Sequence, residues 1–277
     1  MSIKIVTDST SDLPKDIARQ LGITVIPLNV HFGTDTYKDG EEMQADEFYG
    51  RLLTNPTLPK TSAPSPGLFR EHYNRLMVDG SDIVSIHISH KLSGTFEAAA
   101  TGKRDLANGH RVEVLDSRSV TMGLGLVAMS AAAAAKQGAS LNQIVDLVNE
   151  SGRNVYLASA VDSLEYLQKG GRIGRAQAFI GSMLSIKPII SISDGEVIPL
   201  ERVRTYSKAV GRIYQLLEER LPARGLAIMY STDDGEAAKM MQHVQEKYPQ
   251  QAVVMARFGP VLGTYMGPSC LAFAALA

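Results

Sequence analysis

Residues 84–100, VSIHISHKLSGTFEAAA, constrain the fold more than any other stretch of the 277-residue chain. Residues 83–88 form a short apolar run with β-branched side chains at alternate places, the pattern of a strand. A polar bend, HKLSG, follows, and from Thr95 the alanine-rich run TFEAAATGKRDLA carries good helix formers. A strand that passes through Ser-Gly-Thr into a helix gathers hydroxyls and free backbone N–H groups at one point. The first helical turn has unpaired donors and the positive end of the dipole, so that point attracts an anion. Gly94 lacks the Cβ that would hold a ligand away from the backbone. Ser93 and Thr95 are equally suited to capping the helix, and this stretch alone leaves both readings open.

The segments around it repeat the strand–helix pattern. Strands are expected over 4–7, over 24–30, where Pro27 marks an edge or a bulge, and over 111–115. Helices are expected over 14–21, with Pro14 at the start and Gly22 at the end, and over 45–54. A third runs over 66–79, capped by Ser65 and ended by Gly80, and an apolar one over 120–136. Ser140 and Gln143 make a capping box for a helix reaching about residue 150. Residues 33–40 read as a loop. Residues 55–66, NPTLPKTSAPSP, hold four prolines and read as a rigid loop carrying Thr61 and Ser62. Alternating strands and helices argue a parallel, doubly wound sheet, whose ligands sit outside the carboxyl ends of the strands. The polar loops 8–12, 89–95 and 116–119 all follow strands in that way.

Gly152-Arg153-Asn154 suggests a boundary, giving domains 1–152 and 153–277. In the second, strands are expected over 155–160, 188–192, 197–200, 225–230 and 252–256, and helices over 164–169, 177–184, 207–221 and 233–248. GGRIGRAQ is a flexible connection into the helix at 177. Asp194-Gly195 between apolar runs is a hairpin signal, so this sheet contains antiparallel pairs. The end, GPVLGTYMGPSCLAFAALA, is a Gly/Pro loop followed by an apolar strand or helix. The expected fold class is therefore α/β: two α/β domains, the first a doubly wound, mostly parallel sheet, the second a mixed sheet with helices.

Several classes are disfavoured. The net charge is −1 and the basic residues are scattered, so nothing suggests a nucleic-acid footprint. One cysteine, Cys270, cannot form an internal disulfide and fits a reducing compartment. The start, MSIKIVTDST, lacks the apolar region of a signal peptide. The uncharged run 119–135 is short for a membrane span, and 258–277 is interrupted by Gly259, Pro260, Gly263, Gly267 and Pro268. Both read as buried core, so a soluble, cytoplasmic protein without stable membrane insertion is expected.

Catalytic signals are weak. No Gly-x-Ser-x-Gly elbow occurs, and neither His-Glu-x-x-His nor paired cysteines suggest a metal. His87 and His90 lie near Ser93, but His87 falls inside the strand, where a core or surface role fits better. Gly123-Leu-Gly-Leu imitates a dinucleotide fingerprint without a strand immediately before it, and reads as small residues for helix packing. The basic, glycine-rich segment 169–175 suits either an acidic ligand or partner, or a solvated turn.

Together, TDSTSDLP, KTSAPSP, SGTFEAA, DSRSVTMGLGL, LEYLQKGGRIGRAQAFIGSMLSIKPII and GPVLGTYMGP resemble the DegV family of bacterial fatty-acid-binding proteins, in the family's order and across almost the whole chain. The resemblance implies two α/β domains with a fatty acid in the tunnel between them. It implies a carboxylate held by Thr61 and Ser93, with Ser62, Gly94, Thr95 and Tyr265 around it, and a long-chain acid such as palmitate bound rather than a cofactor or metal. It further implies a carrier without catalysis of its own, which presents the acid to a fatty-acid kinase for acyl-phosphate formation in lipid metabolism. Three departures stand out: Ala63 where the family usually has Gln, Tyr265 where it usually has His, and GPSCL where it usually has GPGAL. Tyr265 keeps a hydroxyl that can substitute for the imidazole. The competing expectation is a small-molecule hydrolase or transferase using Ser93 as nucleophile.

Overall fold

The computed structural model describes residues 2–104, 106, 111–180 and 186–277. The fold is α/β, with a parallel four-stranded sheet, a mixed six-stranded sheet and a small antiparallel one. The parallel sheet has strand order β2 (Ile23–Ile26), β1 (Ile3–Asp8), β6 (Asp82–His87), β7 (Val112–Asp116). Its side chains alternate as a two-sided strand requires. Val6 and Ile83 face α3 (Pro66–Met77) and α4 (Thr95–Arg104), while Ile5 and Val84 join the larger core on the other face. Against that second face lie α5 (Met122–Lys136) and α6 (Leu141–Asn154), the latter opened by the expected Ser140–Gln143 capping box.

Helix α5 is the shared layer. Its alanines and glycines permit close approach on both sides, and it packs on β1 and also on β8 (Val155–Val161), β11 (Gly225–Tyr230) and β13 (Cys270–Leu276). This is the packing role expected of Gly123-Leu-Gly-Leu. The mixed sheet adds β9 (Lys187–Ser193), β10 (Glu196–Val203) and β12 (Val254–Arg257) in the order β10-β9-β8-β13-β11-β12. Its outer face packs on α8 (Tyr206–Glu218) and α9 (Gly235–Lys247). The β9–β10 hairpin turns on Asp194 and Gly195, at φ 50° and 77°, the two positive values of a type I′ turn.

Several sequence expectations need correction. The strand expected over 24–30 is two strands, β2 and β3 (Asn29–Phe32), in different sheets. Pro27 has no N–H for the ladder, and beyond it Leu28 pairs elsewhere, its N–H with Ser9 Oγ at 3.0 Å and its carbonyl with the Asp39 N–H at 2.9 Å. The expected loops 33–40 and 55–66 contain β4 (Asp35–Lys38) and β5 (Lys60–Ser62), which flank β3 antiparallel. Both are short and polar, so they carry no hydrophobic alternation to detect. The helix expected over 177–184 is replaced, as far as 180, by a 3-10 turn over Gly174–Phe179 laid along β10; residues 181–185 of that expectation lie outside the described residues. The terminal Gly/Pro segment forms a short helix, α10 (Pro260–Met266), with Pro260 in its first turn and Gly267 at φ 73° after it; β13 then fills the centre of the mixed sheet. No helix among the described residues is long and apolar enough to cross a membrane.

Candidate ligand-binding site

The chain leaves β1 toward β2 on one side, while β6 lies on the other, so a crevice opens beyond the carboxyl ends of these strands. The three polar loops expected there do meet. The Ser89 N–H donates to the Ser119 carbonyl at 3.0 Å, and the Ser117 N–H to the His87 carbonyl at 3.0 Å. Ser89 Oγ donates to the Gly195 carbonyl at 2.7 Å, tying these loops to the β9–β10 hairpin. The Asp12 carboxylate accepts from Thr121 Oγ1 at 2.6 Å and from the Gly259 N–H at 2.9 Å, fixing the start of α10 against them.

Between these loops, α10 and the inner face of β8 and β9 lies a narrow cavity of about 70 Å³. Its walls are mostly apolar, with Ile88, Val120, Leu157, Ile190, Phe258 and Leu262 prominent. Thr61, Ser93 and Tyr265 all line it, so three of the expected site residues converge from β5, the loop before α4, and α10. Thr61, Tyr265 and Arg172 also line an adjoining surface cleft, which places them at the outer side of the cavity.

Thr61 Oγ1 and the Tyr265 hydroxyl lie 2.6 Å apart. The Arg172 guanidinium carbon stands 5.3 Å from the centre of the Tyr265 ring, and Arg172 Nε donates to the Leu92 carbonyl at 3.2 Å, beside Ser93. A cation and two hydroxyls thus gather at the outer side of an apolar hollow that Ser93 also lines. Gly170 lets the Tyr265 ring in: a Cβ there would lie 2.5 Å from Tyr265 Cδ1.

The other expected residues stand differently. Ser93 Oγ lies 2.8 Å from Thr95 Oγ1 and accepts from the Thr95 N–H at 3.3 Å, so it bridges the helix start as well as lining the cavity. Thr95 is buried beneath it, Gly94 is exposed, and neither lines the cavity. Ser62 turns away from Thr61, as period two demands, and its hydroxyl meets His31 Nε2 at 2.9 Å and Asn29 Nδ2 at 3.2 Å.

His87 is fully buried and committed elsewhere. Its Nδ1 meets Asp8 Oδ2 at 2.9 Å and its Nε2 meets Ser85 Oγ at 2.7 Å; the Tyr73 hydroxyl donates to Ser85 Oγ at 2.8 Å. With Nδ1 donating to the carboxylate, one neutral tautomer satisfies the whole row. Neither Ser85 nor His87 lines the cavity. His90 pairs with Asp116 at 2.5 Å, and Ser93 makes no hydrogen bond to a histidine among the described residues.

Sequence reasoning singled out neither Arg172, except within the basic segment 169–175, nor Thr121. Thr121 lines the cavity at φ 49°, ψ −145°, a sparsely populated conformation for a β-branched residue. No sequence pattern announces it; the Asp12 hydrogen bond holds it there. No group of three or more metal-ligating side chains occurs among the described residues.

The fold and site together define an α/β protein, built on a parallel and a mixed sheet with a small antiparallel third, whose apolar cavity carries a hydroxyl–guanidinium cluster. The sequence matches the DegV family, described as uncharacterised protein, over residues 2–277, and the chain belongs to that family. It is 37% identical to Protein DegV of Bacillus subtilis over 276 residues, covering 98% of each chain. Among solved structures it resembles DegV, a fatty acid binding protein from Bacillus subtilis, at TM-score 0.92, 36% identity and 100% of both chains. A fatty-acid-binding DegV family protein from Thermus thermophilus gives TM-score 0.91, 31% identity and 100% of both chains. A stearic acid-binding protein from Eubacterium ventriosum gives 0.91 and 25%, over 99% of this chain and 98% of that one.

Proposed function

We propose that this protein binds one long-chain fatty acid, with its carboxylate at Thr61, Ser93 and Tyr265 and its tail in the cavity. The observation that carries this reading is the apolar hollow lined by those three hydroxyls and Arg172, with Thr61, Tyr265 and Arg172 at its outer side. Magnitudes assign the roles. Burying a methylene contributes ~0.8 kcal/mol, so a fourteen-methylene tail contributes on the order of 11 kcal/mol before entropic costs. Each head-group hydrogen bond to the charged carboxylate contributes roughly 1.5–3 kcal/mol. The tail drives binding and the hydroxyls set its direction.

On this reading the protein is a cytoplasmic carrier without catalysis of its own, built as domains 1–152 and 153–277, that presents the acid to a fatty-acid kinase for acyl-phosphate formation. The relatives' fatty-acid binding and the commitment of Ser93 to Thr95 support it over a serine hydrolase. The test is to denature the purified protein, extract it and identify bound lipid by mass spectrometry. Protein that carries no fatty acid and takes none up overturns the reading. Acyl phosphate should form only when kinase and ATP are added.

A further inference from the structure

We propose that Ser159 reads an oxygen on the hydrocarbon chain of the ligand, so that the cavity favours long-chain fatty acids hydroxylated at one carbon of the tail. Ser159 lies on β8 between Ile190 of β9 and Ala272 of β13. Alternation along β8 puts Leu157 and Ser159 on the cavity wall, while Ala158 and Ala160 face the outer core. Ser159 is 1% exposed, and its Oγ is buried with no hydrogen-bond partner among the described residues.

The other hydroxyls of the inner wall are committed. Thr10 donates to Asp8, Thr121 to Asp12 at 2.6 Å, and Ser191 to the Leu157 carbonyl at 2.5 Å. Ser191, one strand away, shows that a hydroxyl here can be satisfied by backbone; Ser159 is not. A buried hydroxyl without a partner costs free energy, and a plain acyl chain offers it only C–H groups. A chain hydroxyl at the right carbon satisfies both groups at once. At any other carbon it is buried against apolar wall and is rejected, so the expected selectivity is positional.

This inference rests on the fatty-acid reading, and the test separates the two. Delipidated full-length protein and Ser159→Ala are titrated with stearic acid, oleic acid and hydroxystearic acids bearing the hydroxyl at successive carbons along the tail. The natural protein should favour one position, or two adjacent ones, by about threefold to tenfold over the other isomers. Ser159→Ala should lose that preference and bind stearic acid at least as tightly. A flat series, a preference kept by Ser159→Ala, or a preference for oleic acid alone overturns the role of Ser159. Failure of stearic acid and every other acid to bind overturns instead the carrier reading beneath it.

Discussion

The Tyr265 hydroxyl lies 2.6 Å from Thr61 Oγ1, joining α10 to β5 across 204 residues of sequence. Each group can donate one hydrogen, and Arg172 over the ring places a positive charge beside them. Two donors preorganised in this way lose little freedom when a carboxylate arrives.

Tyr265→Phe should therefore weaken fatty-acid binding by roughly 1.5–3 kcal/mol while leaving the fold intact, because the lost contact is to a charged acceptor. Tyr265→His should regain the contact and add to the natural protein's pH profile a dependence near neutrality that comes from the imidazole. Affinities of the three forms between pH 6 and 8 decide it. If Tyr265→Phe binds as tightly as the natural protein, Tyr265 is only wall.

Ser93→Ala separates two roles that coincide in one hydroxyl. As a cap on Thr95 alone, it should cost ~1 kcal/mol of stability with ligand uptake unchanged. As a head-group contact, it should also reduce the lipid retained through purification. Both losses are expected, read as thermal midpoint and bound lipid in the same variant. Unchanged lipid retention confines Ser93 to the helix.

Gly170→Ala tests how closely the site depends on the position of Tyr265. The new methyl would meet Tyr265 Cδ1 at 2.5 Å and Cε1 at 2.6 Å, so the ring must shift away from Thr61. Binding should fall on the order of tenfold, the worth of one strong hydrogen bond. Combined with Tyr265→Phe, the two losses should not add, since both act through one contact. Full additivity in that double-mutant cycle rules out displacement of Tyr265 as the cause.

Much of this architecture was legible in the chain because local signals and tertiary packing agree. The helix expected from Thr95, the Ser140–Gln143 cap and the Asp194-Gly195 hairpin each rest on chemistry within a few residues. Strands β4 and β5 were not legible, because three or four polar residues gain their pairing only from β3. The site divides in the same way. Thr61, Ser93 and Tyr265 stand out through family motifs, whereas Arg172 and Thr121 become cavity residues only once distant loops close. The buried row Tyr73, Ser85, His87 and Asp8 was hidden for that reason too: Asp8 and His87 are 79 residues apart.

Asp39 makes stability depend on pH. It is 4% exposed beside the start of α10, and burial raises its pKa from 3.8 to about 7; Ser9 and the Val261 N–H draw it down, while the charge of Asp8 raises it further. Burial likewise raises the pKa of Asp12, against the pull of Thr121 and Gly259. A carboxyl with a raised folded-state pKa holds its proton more tightly in the native protein than in the unfolded chain. Its stabilising contribution is thus complete below about pH 4 and is lost as pH rises toward 7. For Asp39 the loss is on the order of 4 kcal/mol at most, from roughly three pKa units. Asp39→Asn imitates the protonated form, so it should be more stable than the natural protein at pH 8 and close to it at pH 4. The natural protein's thermal midpoint should fall between those pH values, and the variant should lose the part of that slope due to Asp39 while keeping the part due to Asp12. Thermal melts of both forms at closely spaced pH values test this. Parallel profiles would show that Asp39 is already ionised at acid pH in the folded state, leaving another group responsible for the slope.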